Sequence, residues 1–207
     1  MSGIISQNVG RPSGLVKAAA AAGGVWTLIK TLTASADSDL SFVDGTDDVT
    51  LDATYPIYVF KFINIHAGTH AADFTAGFRD GGSAYDATKT TSTFYAYHNE
   101  GDSATGLTYA SHDMVQGTGF CQIGGDAMGT DNDQCCSGTM FLFNPSSTTF
   151  VKHFMVNMNT LTEADYSVNE YTAGYCNVTA AIDAVQFKFD TGNIDAGKIK
   201  LYGIKDS

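Results

Sequence analysis

After Val25 the sequence is a succession of short hydrophobic runs separated by turn residues, and none repeats apolar residues at helical spacing for more than about two turns. The clearest case is "SGTMFLFNPSSTTFVKHFMVNM", Ser137 to Met158. Two aromatic, alternating segments flank Asn144-Pro145-Ser146-Ser147, whose residues favour a turn, so the stretch predicts a hairpin. Further strands are expected at Val25–Thr33, Thr91–His98, Ser167–Asn177, Ala184–Asp190 and Gly197–Ile204, the last two joined by a Thr-Gly-Asn loop. In the first of these, strict alternation places Trp26, Leu28 and Lys30 on one face. "PIYVFKFINI" (Pro56–Ile65) is apolar on both faces and reads as a central strand that Pro56 can only open. "LSFVDGTDDVTL" (Leu40–Leu51) reads as two short strands about Asp44-Gly45, and Ala72–Phe78 as one more. Between Asn99 and Asp133 the chain is loop-rich, with short candidates at Leu107–Tyr109 and Phe120–Ile123.

Composition agrees. Glutamate, a helix-surface residue, occurs only at Glu100, Glu163 and Glu170, while Thr, Tyr, Phe and Val suit a pleated surface. Without alternating β-α units, Rossmann and TIM-type folds are excluded. The expected fold is all-β, an antiparallel two-sheet β-sandwich of jelly-roll type over residues 25–207, preceded by an extended N-terminal arm at residues 1–24.

Charge separates the two parts. The whole chain carries a formal −11, yet residues 1–24 hold Arg11 and Lys17 and no acid. An acidic domain without a Lys/Arg stripe does not suit nucleic acid. No run reaches the roughly 18 apolar residues of a membrane span, and the N-terminus lacks the pattern of a secretory leader. Cys121, Cys135, Cys136 and Cys176 show no Cys-x-x-Cys spacing and are expected as free, mostly buried thiols of a protein made in a reducing cytoplasm. A bridge from Cys121 to Cys135 or Cys176 is left open by spacing alone.

Motifs for chemistry are sparse. His66 and His70 are four apart, but no helix is credible around "AGT" and the Glu of H-E-x-x-H is missing, so they read as loop histidines. Asp126, Asp131 and Asp133 form a weak calcium candidate that competes with an acidic exposed turn. The Gly-Asp-Ser triplet in "GDSATG" (Gly101–Gly106) sits in a β context without a late Asp-x-x-His and matches esterases only by accident. No nucleophile elbow, phosphate loop or dinucleotide fingerprint is present, so neither an enzyme nor a cofactor is expected. Tyr95, Tyr97 and Tyr109 suit sugar stacking or, more simply, cross-strand packing.

The phrases "GRPSGLVKA" (Gly10–Ala18), "VWTLIKTLTAS" (Val25–Ser35), "TYPIYVFKFINIH" (Thr54–His66), "FNPSSTTFVKHF" (Phe143–Phe154), "GYCNVTAAIDAVQFKF" (Gly174–Phe189) and "GNIDAGKIKLYGI" (Gly192–Ile204) resemble small structural proteins of tailed bacteriophages, many of them marine. The resemblance spans nearly the whole chain in a consistent order. It implies a β-sandwich on the virion surface, made in the host cytoplasm, bound to the major capsid protein or other virion subunits and forming a homotrimer. Within it, a capsid decoration or cement protein is expected first, and a tail-fibre or receptor-binding tip that touches a host glycan second. No catalytic residue is carried over. The Cys135-Cys136 pair and "QIGGDAMGTDNDQ" depart from the pattern and receive no role. In the arm, Leu15 and Val16 offer an apolar anchor, while Arg11 and Lys17 offer charges for a partner's acids.

Overall fold

The computed structural model describes residues 26–206, except for the side chains of Gly125 and Asp126. The arm residues Arg11, Leu15, Val16 and Lys17 therefore lie outside the described residues. Twelve strands follow in order: β1 (Trp26–Asp37), β2 (Leu40–Val43), β3 (Ile57–Ala67), β4 (Ala72–Arg79), β5 (Lys89–Asn99), β6 (Thr105–Tyr109), β7 (Cys121–Met128), β8 (Cys136–Phe143), β9 (Lys152–Leu161), β10 (Tyr166–Cys176), β11 (Ala184–Phe189) and β12 (Ile194–Ile204). They form an eight-stranded sheet, β1-β12-β3-β8-β9-β10-β5-β6, packed on a four-stranded sheet, β2-β11-β4-β7. All strand pairs are antiparallel. The fold is the expected two-sheet β-sandwich.

Consecutive strands share a sheet only at β5–β6 and β8–β9–β10; elsewhere the chain crosses between layers. The Thr-Gly-Asn loop after β11 is one such crossing. The expected hairpin is β8–β9, and Ser147 N–H donates to the Asn144 carbonyl (3.1 Å) across the predicted turn. Asn144 takes a left-handed backbone (φ 47°), which asparagine tolerates well.

Two local expectations are corrected. Register shifts between Leu28 and Lys30, so a β-bulge inserts one residue into β1. Leu28 stays opposite Tyr202, whereas Lys30 pairs with Leu201 and turns to the other face, where Nζ donates to the Asp47 carbonyl at 2.7 Å. The second correction concerns Asp44–Leu51, which holds no second strand. Asp44 Oδ1 accepts the Leu51 N–H (2.8 Å), and Gly45 and Val49 bond within the loop. The side chain of Asp44 thus offers the backbone a local alternative to a ladder. The turn still inserts Val49 and Leu51 into the core.

Alternation decides what is buried. β9 puts Lys152, Phe154, Val156, Met158 and Thr160 inward and His153, Met155, Asn157 and Asn159 outward. Beneath β3 and β12 the space between sheets is filled by phenylalanine. Phe187 lies 5.2 Å from Phe60 and 5.0 Å from Phe62, both edge to face, and Phe74 lies 5.3 Å from Phe189. Such edge-on pairs match the positive ring edge to the negative face and add to the burial of large apolar area.

Candidate functional site

Eight strands cannot be covered by four. On the inner side β7 packs over β9 and β10, leaving the ends of β5 and β6 overhanging. Along β5 the inward residues Lys89, Thr91 and Thr93 are buried, but Tyr95 and Tyr97 are only half-buried. A cleft of about 500 Å³ opens there, lined by Tyr95 and Tyr97 of β5, Thr108 of β6, Ala127 of β7, Tyr166 and Val168 of β10, and Thr162, Glu163 and Ala164 of the β9–β10 turn. That size lies within the range of small-molecule sites.

The cleft has a firm wall. The β9–β10 turn is tied to the opposite sheet by a bridge between Met128 and Thr162 and by Glu163 N–H donating to the Ala127 carbonyl (3.0 Å). Thr162 Oγ1 accepts the Tyr166 N–H at 3.2 Å, which closes the turn on itself. The buried Gln134 side chain adds a brace, donating to the Glu163 carbonyl and accepting from the Asp131 N–H. Glu163 Oε2 lies 2.6 Å from His70 Nε2 at the rim. The rings run as a row, with Tyr95 to Tyr97 at 6.1 Å and Tyr97 to Tyr166 at 5.8 Å. Gly106, directly opposite Tyr97, is what lets that ring lie down: a Cβ there would meet the ring at 2.7 Å.

The outer face of the eight-stranded sheet is different in kind. Its outward positions carry Trp26, Leu28, Phe141, Met155, Phe94, Tyr171, Leu107 and Tyr109, with Leu107 72% exposed and Phe94 stacked on Tyr171 at 5.2 Å. Lys61, Lys198 and Lys200 point the same way, and Lys61 Nζ sits 5.2 Å from the Trp26 ring. Apart from Asp37 and Asp195 at one end of β1 and β12, the described strands of this face hold no outward carboxylate. Most acids of this −11 chain lie in its loops.

The residues singled out in the sequence scatter. Tyr95 and Tyr97 share the cleft, but Tyr109 is on the outer face, where its hydroxyl donates to Asp113 (2.8 Å), a bond that raises its pKa. His66, at the end of β3, bonds the Asp131 carbonyl and faces Asp195 at 3.5 Å, while His70 faces Glu163. Asp133 lines a recess with His66 and Asp195, and Asp131 borders it through its backbone. Among the described residues no group of three or more His, Cys, Asp or Glu is placed to hold a metal ion; the Asp126 side chain is outside them. Gly-Asp-Ser forms the β5–β6 turn, where Asn99 Oδ1 accepts the Ser103 and Ala104 N–H groups. All four cysteines are free; Cys121, Cys136 and Cys176 are buried and Cys135 is half-buried.

Two groups escaped the sequence reading. Lys89 and Lys152 are fully buried. Lys152 Nζ donates to the carbonyls of Ser147 (3.1 Å), Phe150 (3.3 Å), Val178 (2.8 Å) and Ala180, and Lys89 Nζ to Gly119 (2.6 Å). Burial lowers the pKa of both. Period-two alternation points to Lys152, which shares a parity with Phe154, Val156 and Met158. The cage of carbonyls has no sequence signal, because it comes from two loops far apart in the chain. No protein-family model, no curated protein and no solved structure matches this chain.

Proposed function

We propose that the protein is a non-enzymatic surface component of a tailed-phage virion, a capsid decoration subunit held by its N-terminal arm. The observation that supports this reading is the outer face of the eight-stranded sheet. Large exposed apolar residues on a wide, stiff sheet, with the acids kept off it, suit a surface that packs on another protein. The occupant proposed is a capsid subunit. Three lysines on the face and Arg11 and Lys17 in the arm would meet its acids, while the acidic loops stay in solvent. The homotrimer implied by the phage resemblance belongs to the same proposal.

The test is particle composition. Full-length protein is expected in purified particles by mass spectrometry, and deletion of residues 1–24 should remove it while the remaining domain still folds. Replacing Phe94 and Met155 together by Glu should weaken rebinding to particles lacking the protein. Absence of the full-length chain from particles would overturn the proposal. A receptor-binding tip is the second reading, and the tyrosine-lined cleft is the observation that favours it. Saturable binding to host cells that competes with phage adsorption would replace the first reading with this one.

A further inference from the structure

From the chemistry of its walls, we infer that the cleft between β5, β6, β7 and the β9–β10 turn is a binding site for a neutral saccharide. The inference names the ligand class for the receptor-binding reading, and it stands or falls on the cleft alone, whether or not the chain is carried on a particle.

Each wall excludes something. No Lys or Arg lines the cleft, so an anionic ligand would lose hydration without meeting a counter-charge. A purely apolar ligand would strand the Thr108 hydroxyl and the Glu163 carboxylate without water. A quaternary ammonium would be drawn to tyrosine faces and to Glu163. However, Tyr95, Tyr97 and Tyr166 form a row with ring planes tilted by 48° and 59°, not a cage around one point. Moreover, about 500 Å³ is several times what a trimethylammonium group fills. A sugar ring meets all these conditions. Its C–H face packs on an aromatic ring, and its hydroxyls exchange hydrogen bonds with threonine hydroxyls and a carboxylate. The row of three rings suits two or more linked sugar units rather than one.

The site is also pre-organised. Tyr97 is seated on Gly106, and Glu163 is held by the backbone bond of its own N–H to Ala127 and by His70. Little conformational freedom is then lost on binding, so more of the contact energy is realised as affinity.

Purified full-length protein would be titrated with lactose, cellobiose, maltose and diacetylchitobiose, and with choline as the cationic competitor. Saturation-transfer NMR and calorimetry would report binding. At least one disaccharide is expected to bind saturably with a Kd of about 1 mM, and Tyr97→Ala should weaken it about tenfold or more. Because Tyr97→Ala removes a ring seated on edge strand β6, Glu163→Gln provides the second variant. It keeps all three rings and should weaken binding by a factor of about three to ten. Thermal melting checks that both variants are folded. No binding by any of the four sugars, binding untouched by Glu163→Gln and by a folded Tyr97→Ala, or binding of choline alone would each overturn the assignment.

Discussion

Beneath β3 and β12 the inner face of the large sheet meets Phe42, Phe74, Phe187 and Phe189; beneath β5 and β10 the same face carries Lys89, Thr91, Thr93, Glu170 and Thr172, all buried. The phenylalanine half needs no specific partners, since its rings satisfy one another by contact. The polar half does need them. Thr93 and Thr172 hydroxyls meet at 3.0 Å, Thr91 Oγ1 accepts the Met114 N–H at 2.8 Å, and Glu170 Oε1 stands 3.6 Å from His112 Nε2. Glu170 Oε2 has no hydrogen-bond partner among the described residues. The difference follows from coverage. Where β11 and β4 lie over the large sheet, a dry core forms. Toward β5 and β6 the cover ends, loops take its place, and their backbone groups must be met by side chains.

Removing a ring from the dry half should have the largest effect. Phe187 touches Phe42, Phe60, Phe62 and Phe74 and is fully buried. Phe187→Ala is expected to destabilise by about 4 kcal/mol, read as a fall in urea midpoint with an unchanged slope. A loss below about 2 kcal/mol would mean that the half collapses around the gap and is not rigidly packed.

The matching test in the polar half is Lys152→Met. The substitution keeps the stem but leaves the carbonyls of Ser147, Phe150, Val178 and Ala180 without their shared donor. Each buried, unmet carbonyl carries a desolvation cost, offset where the loop can open to water, so a loss of about 3 kcal/mol is expected. Hydrogen exchange should quicken first at Ile182, whose N–H donates to the Pro145 carbonyl (2.8 Å) and links the same two loops. If Lys152→Met is neutral, the ammonium merely fills space and the contrast between the halves fails.

Much of this fold is legible in the alternation of residues, and the reasons for the exceptions are specific. "KHFMVNM" and "TSTFYAYH" read correctly as strands because their side chains alternate: every second residue from Lys152 to Met158 is buried, and Thr91, Thr93, Tyr95 and Tyr97 turn inward between exposed neighbours. The bulge at Leu28–Lys30 was not legible, since nothing in "WTLIKT" marks which residue is inserted; the partner strand decides it. The loop at Asp44–Leu51 misled because Asp-Gly with flanking apolar residues serves a hairpin and a core-plugging turn equally well. Tyr95 and Tyr97 were legible as candidates, but Tyr166 and Glu163 were not. They reach the cleft only because the β9–β10 turn leans across to β7, a contact between segments with no shared sequence pattern.

The smallest effect is expected on the alkaline limb of stability, and it probes the polar half at its centre. Cys176 lies in register between Lys89 on β5 and Lys152 on β9. Burial pushes its thiol up to about 12 from an ordinary 9.0, and nearby Cys121 adds to this, while the two lysines pull the other way. The sign is then fixed. Below pH 9 the thiol is protonated in both states and its contribution is fully present. Above pH 9 the unfolded chain releases the proton and the folded chain keeps it, so stability falls as pH rises toward 12. By pH 10 the loss from this one group is about 1.4 kcal/mol. The buried lysines act with the opposite sign, because the folded state gives up their protons first and gains stability as pH rises toward the ordinary lysine value. Comparing wild type with Cys176→Ala at pH 7 and pH 10 separates the thiol from the lysines, and the wild type should lose about 1.4 kcal/mol more across that interval. A wild type that loses less stability than Cys176→Ala across that interval would show that the folded protein holds a thiolate between two ammonium groups. The polar half would then be a charge-paired cluster, not a set of separately satisfied hydrogen bonds.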